Sequence, residues 1–206
     1  MEERERQHFE QFNDTIQDEH GGIYSTDGVW LLLAPIGKFK NYKIKEGTQI
    51  IAQHSFSGKS YGDCYFEPSD IVEVEMPNSV VYLEEWAFEQ CQDLKIIRLS
   101  ESIRKIPYYC FWRCLSLESI VIPKLVSIIE AGAFNWCKSL RSVYLPKSIC
   151  EIGEGAFTSC ESLEKIVVPH GTKERFIAML DEESSRFVVE EDVIEFKFRK
   201  FLTCQF

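Results

Sequence analysis

The sequence predicts a repeat solenoid, with short parallel strands stacked coil on coil along one axis, and three sets of columns predict it. Cys91, Cys114, Cys137 and Cys160 recur every 23 residues. Phe88, Phe111, Phe134 and Phe157 keep that step, as do Leu94, Leu117, Leu140 and Leu163. Two strand columns share the register: Val74, Ile97, Ile120, Val143 and Ile166, then Met76, Leu99, Ile122, Leu145 and Val168. A fixed period with this many matched columns overrides any purely local reading. A unit of 23 residues cannot bury its own apolar side, but stacked on copies of itself it builds a continuous core.

One unit, "LRSVYLPKSICEIGEGAFTSC" at 140–160, shows why each piece takes its place. Leu140-x-x-Val143-x-Leu145 alternates toward its end, as a short strand with one buried face requires. Pro146 stops the strand because it cannot donate to the ladder. Ile149 and Ile152 then point inward and predict a second short segment, extended or 3₁₀. Gly153 and Gly155 permit a corner. Ala156-Phe157 re-enters the core and Cys160 closes the unit.

The flanks follow in chain order. Phe9, Phe12 and Ile16 have helical spacing within a charged segment and predict an amphipathic helix over 2–17. An imperfect coil fits "YKIKEGTQIIAQHSF", 42–56, with Ile44, Ile51 and Phe56 in register. From Phe56 to Phe88 is 32 residues, so extra chain is inserted around "GKSYGDCYFEP". Near the end, "VIEFKFRKF" alternates and reads as a strand with one wet face. With no Gly/Ser- or Pro-type linker, the expectation is a single domain over 1–206. It divides into an N-terminal cap at 1–41, a degenerate repeat with an insertion at 42–70, regular repeats at 71–169 and a C-terminal cap at 170–206.

Charge narrows the function classes. A net charge of −10 works against a broad nucleic-acid surface, which needs clustered Lys and Arg, and against docking on anionic membranes. The longest apolar run, "VWLLLAPI", is too short to span a bilayer, so no membrane insertion is expected. "MEERERQHFE" lacks the apolar stretch of a secretory signal, which by itself predicts a cytoplasmic protein.

Chemistry-bearing candidates are few. The four-Cys column reads as small buried thiols bonded to neighbouring carbonyls, because four equivalent side chains in parallel do not favour disulfide geometry. His8, His20, His54 and His170 are scattered and no C-x-x-C pair exists, so no metal is expected. Cys110 occupies the Ala87/Ala133/Ala156 column and is expected in the core, while Cys204 is the expected exposed thiol. "GKSYG" places Ser60 in G-x-S-x-G, but it lies in an insertion with no helical pattern after it, so it reads as a loop rather than a hydrolase elbow. No phosphate-cradling Gly loop occurs, and no cofactor is expected. The chain does not read as an enzyme.

What remains is surface. The outward column of the first strand runs Glu75, Arg98, Val121, Tyr144, Val167, with Ile96 beside it. Val121, Tyr144 and Val167, with Ile96 nearby, make an apolar strip on a face expected to be wet; the alternatives are that β-branched and aromatic residues simply suit strands, or that the C-terminal segment covers them. A second patch gathers Trp86, Tyr108, Tyr109, Trp112 and Trp136 at variable positions around Ala-Phe, where the last coil has Gly155, Thr158 and Ser159. Aromatics there suit gripping a protein or stacking on sugars, or else stapling coil to coil.

The Leu-x-x-Ile-x-Leu strand, "IP.S" after it and "AF..C" at the end of the 23-residue unit resemble the BspA-like class of bacterial leucine-rich repeats. The resemblance is best over 71–169. It implies a concave sheet of short parallel strands with turns opposite. It further implies a hairpin at "GGIYSTDGVWLLLAPIGKFKNY", turning at Asp27-Gly28, and an exit at "VVPHGTKERFIAML" through a last strand and a short helix. It implies cell-surface adhesion or host-protein binding. The expected partner is therefore another protein, with polysaccharide as the alternative. An intracellular scaffold, or a fragment of a larger surface protein, is the other reading.

Overall fold

The computed structural model describes residues 14–35, 40–57 and 70–191. Three short strands open it: β1 Thr15–Gln17, β2 Ile23–Ser25 and β3 Trp30–Leu33, each antiparallel to the next. The turn between β2 and β3 closes where the Gly28 N–H donates to the Ser25 carbonyl at 2.8 Å. Gly28 has φ 72, and the Asp27 carboxylate accepts from the Val29 N–H at 3.0 Å. Such a positive φ is one that glycine adopts without strain.

From here the chain coils. Each turn contributes one strand to each of two faces. The first face carries β4 Asn41–Lys43, β6 Glu73–Glu75, β8 Ile96–Arg98, β10 Ser119–Val121, β12 Ser142–Tyr144 and β14 Lys165–Pro169. The second carries β5 Ile50–Ile51, β7 Tyr82–Leu83, β9 Lys105–Ile106, β11 Ile128–Ile129 and β13 Glu151–Ile152. Pairing within the coils is parallel and keeps the sequence register: Val74 opposes Ile97, Ile120 opposes Val143, and Val143 opposes Ile166. The short second segment is extended, not 3₁₀. After β14 the chain forms helices α1 Lys173–Ile177 and α2 Glu182–Ser185, then β15 Val188–Glu191, which pairs parallel with β14.

Stacking supplies the core. Phe56, Phe88, Phe111, Phe134 and Phe157 form one ladder with centroid spacings of 4.3, 5.1, 5.2 and 5.4 Å. The degenerate coil joins it in register, since Ile44, Ile51 and Phe56 are all buried. Offset-stacked rings contribute beyond their burial, about 1 kcal/mol per pair. The Cys column behaves as the sequence implies. Cys91, Cys114, Cys137 and Cys160 donate from Sγ to the carbonyls of Phe56, Phe88, Phe111 and Phe134 at 3.5, 3.1, 3.1 and 3.2 Å. Burial pushes the Cys110, Cys114, Cys137 and Cys160 thiols well above the ordinary range, so they are not nucleophiles at neutral pH.

The N-terminal end departs from expectation, while the exit through a last strand and a short helix is as expected. The helix expected over 2–17 is not what its last residues form: Thr15–Gln17 is strand β1, with Ile16 opposite Tyr24. Ile16 is half-buried between exposed neighbours, an alternation of period two that so short a stretch does not distinguish from a helical one. Phe9 and Phe12 lie outside the described residues, as does the strand expected at 193–201.

Candidate binding surfaces

The outward column of the first face is only partly as expected. Glu75, Arg98, Val121, Tyr144 and Ile96 are half-buried on the first face. Arg98 and Lys43 both approach Glu75, at 3.9 and 3.8 Å, and Lys165 Nζ sits 5.6 Å over the Tyr144 ring. These are surface ion pairs, each worth under about 1 kcal/mol. Beside them a cleft of about 300 Å³ is lined by Lys43, Glu46, Asn78, Arg98 and Glu101. Val167 is a correction: it is 2% exposed, although its position is an outward one. β15 extends the sheet past it, with Val189 opposite on one side and Tyr144 on the other. The apolar strip therefore reduces to Ile96, Val121 and Tyr144.

The aromatic patch is more constructed. Each coil turns its corner through a residue with left-handed backbone: His54 at φ 57, Trp86 at 62, Tyr109 at 50, Gly132 at 63 and Gly155 at 63. A bulky residue in this region costs about 1–2 kcal/mol relative to glycine. Trp86 and Tyr109 stack at 4.6 Å with planes 12° apart, and the His54 ring lies 6.2 Å from Trp86. Tyr108 meets Tyr109 edge-on at 4.2 Å, and Trp112 meets both Trp86 and Tyr109 edge-on, at 6.2 and 6.0 Å. The Tyr109 ring also lies against Gly132, where a Cβ would fall 2.5 Å from Tyr109 Cε1. These rings are inter-coil staples. They are not only that, because Tyr108 and Trp136 remain 37% and 41% exposed.

The sequence reading missed two features of this patch. Arg113 sits 5.2 Å from the Trp112 centroid and 5.9 Å from that of Trp136, and Lys138 Nζ is 5.0 Å over Trp136. Exposed aromatic faces are thus interleaved with cations. Arg113 shares a variable column with Gln90, Trp136 and Ser159, so attention to charge as well as rings in that column would have found it. The second is buried: His54 Nδ1 lies 2.9 Å from Glu89 Oε2, with side chains 5% and 0% exposed. Glu89 occupies the position held by Trp112, Asn135 and Thr158 in later coils, and a single acidic residue there carries no sequence signal of burial.

Ser60, Cys64 and Cys204 lie outside the described residues, and Cys150 is an exposed thiol that the sequence reading did not single out. Among the described residues, no three His, Cys, Asp or Glu side chains are placed to hold a metal, and no helix is long and apolar enough to cross a membrane.

Residues 59–176 match six copies of the BspA type leucine rich repeat region. The chain belongs to this family. Leucine-rich repeats of this type are generally binding scaffolds. The chain is similar to a leucine rich cell surface protein from Faecalibacterium prausnitzii A2-165, with 28% identity and a TM-score of 0.64, covering 83% of this chain and 40% of that one. It is also similar to the Treponema pallidum leucine rich repeat protein, with 27% identity and a TM-score of 0.56, covering 88% and 79%. The pneumococcal vaccine antigen PcpA, 20% identical with a TM-score of 0.68 over 88% and 49%, shares the fold. This chain therefore spans less than half the length of the Faecalibacterium protein and of PcpA. No curated protein matches the sequence.

Proposed function

We propose that this BspA-type solenoid is a non-enzymatic module that binds another protein, and that the aromatic corner is its main contact surface. One observation carries the reading. Trp86 and Tyr109 hold left-handed corners that the next two coils give to Gly132 and Gly155. Glycine makes the same turn with less strain, so the rings staple neighbouring coils but are not needed for the corner itself. Trp, Tyr and Arg are also the side chains most often found as binding anchors. The concave sheet, through Glu75, Arg98, Val121 and Tyr144, is the secondary surface. A bacterial cell-surface location is part of this proposal, supported by the likeness to the Faecalibacterium cell surface protein.

The experiment is partner capture with three baits: the wild type, Trp112→Ala/Trp136→Ala, and Arg98→Glu/Tyr144→Glu. Circular dichroism on each bait reads folding. A partner lost by the aromatic variant and kept by the charge variant is expected. A partner lost only by the charge variant would move recognition to the concave sheet. Retention of the wild type on polysaccharide, abolished by the Trp pair, would replace the protein partner with a carbohydrate.

A further inference from the structure

The backbone ladder behind the aromatic corner runs in one direction, and its last three donors have no acceptor among the described residues. In three successive coils, three N–H groups at alternate residues donate to carbonyls of the next coil. Trp86, Phe88 and Gln90 donate to Tyr108, Cys110 and Trp112. Tyr109, Phe111 and Arg113 donate to Ala131, Ala133 and Asn135. Gly132, Phe134 and Trp136 donate to Glu154, Ala156 and Thr158, and all nine bonds fall between 2.7 and 3.2 Å. The same three positions of the last coil are Gly155, Phe157 and Ser159, and among the described residues nothing accepts from their N–H groups. Phe157 is only 2% exposed, and backbone donors in such settings are almost always paired.

The neighbouring strand ends in the same way. The Ile51, Ile106 and Ile129 carbonyls accept from Glu84, Glu130 and Gly153, whereas the Ile152 carbonyl has no donor among the described residues. Through residue 191 the chain supplies none: α1 and α2 lead to β15, which pairs with β14 on the first face. A groove of about 200 Å³ lies at this open edge, lined by Ile152, Gly155, Ala156, Met179 and Leu180. Glu154 and Asp181, both exposed, also line it, and the exposed Glu151, Glu182 and Glu183 lie within two residues of the lining in sequence.

We propose that this open end binds a short basic peptide segment of a partner protein that follows the path the next coil would take. The inner coils set the register over six residues. Gly153 donates to one coil, while Glu154, Ala156 and Thr158 accept from it. The segment's first N–H therefore pairs with the Ile152 carbonyl, and its second, fourth and sixth carbonyls accept from Gly155, Phe157 and Ser159. Main-chain pairing at an open ladder supplies affinity, and the acidic rim selects a cationic segment. A second copy stacked end to end does not fit, because the start of the ladder is already covered: the Ala34 N–H donates to the Ser55 carbonyl at 2.7 Å. The site is separate from the aromatic corner, so it stands whether or not that surface binds protein.

The test is amide exchange by NMR on the full chain, with a synthetic probe carrying Gly-Asn-Gly-Ala-Val-Thr between paired lysines. The expected result is saturable binding that slows exchange at Gly155, Phe157 and Ser159. Gly132, Phe134 and Trp136, already paired, do not change. Charge reversal in Glu151→Lys/Glu154→Lys weakens binding about tenfold. The inner amides report whether that variant is folded, so folding and binding are read separately. Four results overturn the proposal: no binding, binding without protection of the three amides, protection already complete in the free protein, or protection that grows with protein concentration alone.

Discussion

Two halves of one corner follow the same backbone path with opposite side chains. His54, Trp86 and Tyr109 turn it with rings, Gly132 and Gly155 with none, yet all five φ values lie between 50 and 63. The inter-coil ladder imposes the conformation, so side-chain choice there is free to serve something other than folding. The difference teaches that this solenoid separates its two duties by column. The Phe, Leu and Cys columns hold every coil to the next, whereas the corner columns staple only some coils and form the surface that we propose meets a partner.

The largest effect comes from breaking what both halves share. Phe111→Ala removes the middle rung of the ladder and is expected to cost about 4 kcal/mol in urea unfolding. Gly153→Ala comes next, because its Cβ would fall 2.3 Å from the Ala131 backbone nitrogen. Neither backbone yields cheaply, and a loss of about 3 kcal/mol is expected in the same assay. Gly132→Ala joins the halves directly: the added methyl meets the Tyr109 ring on a left-handed residue, with an expected cost of about 2 kcal/mol. The double-mutant cycle with Tyr109→Ala sharpens this. Without the ring, the same substitution is expected to cost only its strain, about 1 kcal/mol. Smallest is Gly155→Ala, whose Cβ would meet Thr158 Oγ1 at an ordinary 3.4 Å. Strain alone remains, again about 1 kcal/mol, read as a drop in Tm. An equal cost for Gly132→Ala and Gly155→Ala would mean that Tyr109 does not use the space at Gly132.

The interior was legible because it repeats. Once Phe88 and Phe111 are aligned, the partners of Val74, Ile97 and Cys114 follow by counting, and the parallel register agrees. Even the imperfect coil could be placed, since Ile44, Ile51 and Phe56 keep its inward pattern. The ends were less legible because nothing there repeats. Thr15–Gln17 pairs with β2 through tertiary contact, whereas the local spacing of Phe9, Phe12 and Ile16 suggests a helix. Val167 is a related case: its outward position follows from the repeat, but whether the C-terminal segment covers it depends on where the chain returns as β15. At the candidate surface the aromatic column was visible as letters. The left-handed backbone of Trp86 and Tyr109 was not, because the equivalent glycines sit in other coils.

The thiol bonds have a consequence for recovery after unfolding. Each of Cys91, Cys114, Cys137 and Cys160 donates backward to the preceding coil, so oxidants reach these sulfurs only when coils separate. Once they are unfolded, nothing about their spacing protects them. The native arrangement of these four parallel thiols has no place for a bridge, so any disulfide that forms between them in the denatured chain is a wrong one. Reversibility is therefore a matter of redox history: refolding under air is expected to return less native protein than refolding with a thiol reductant.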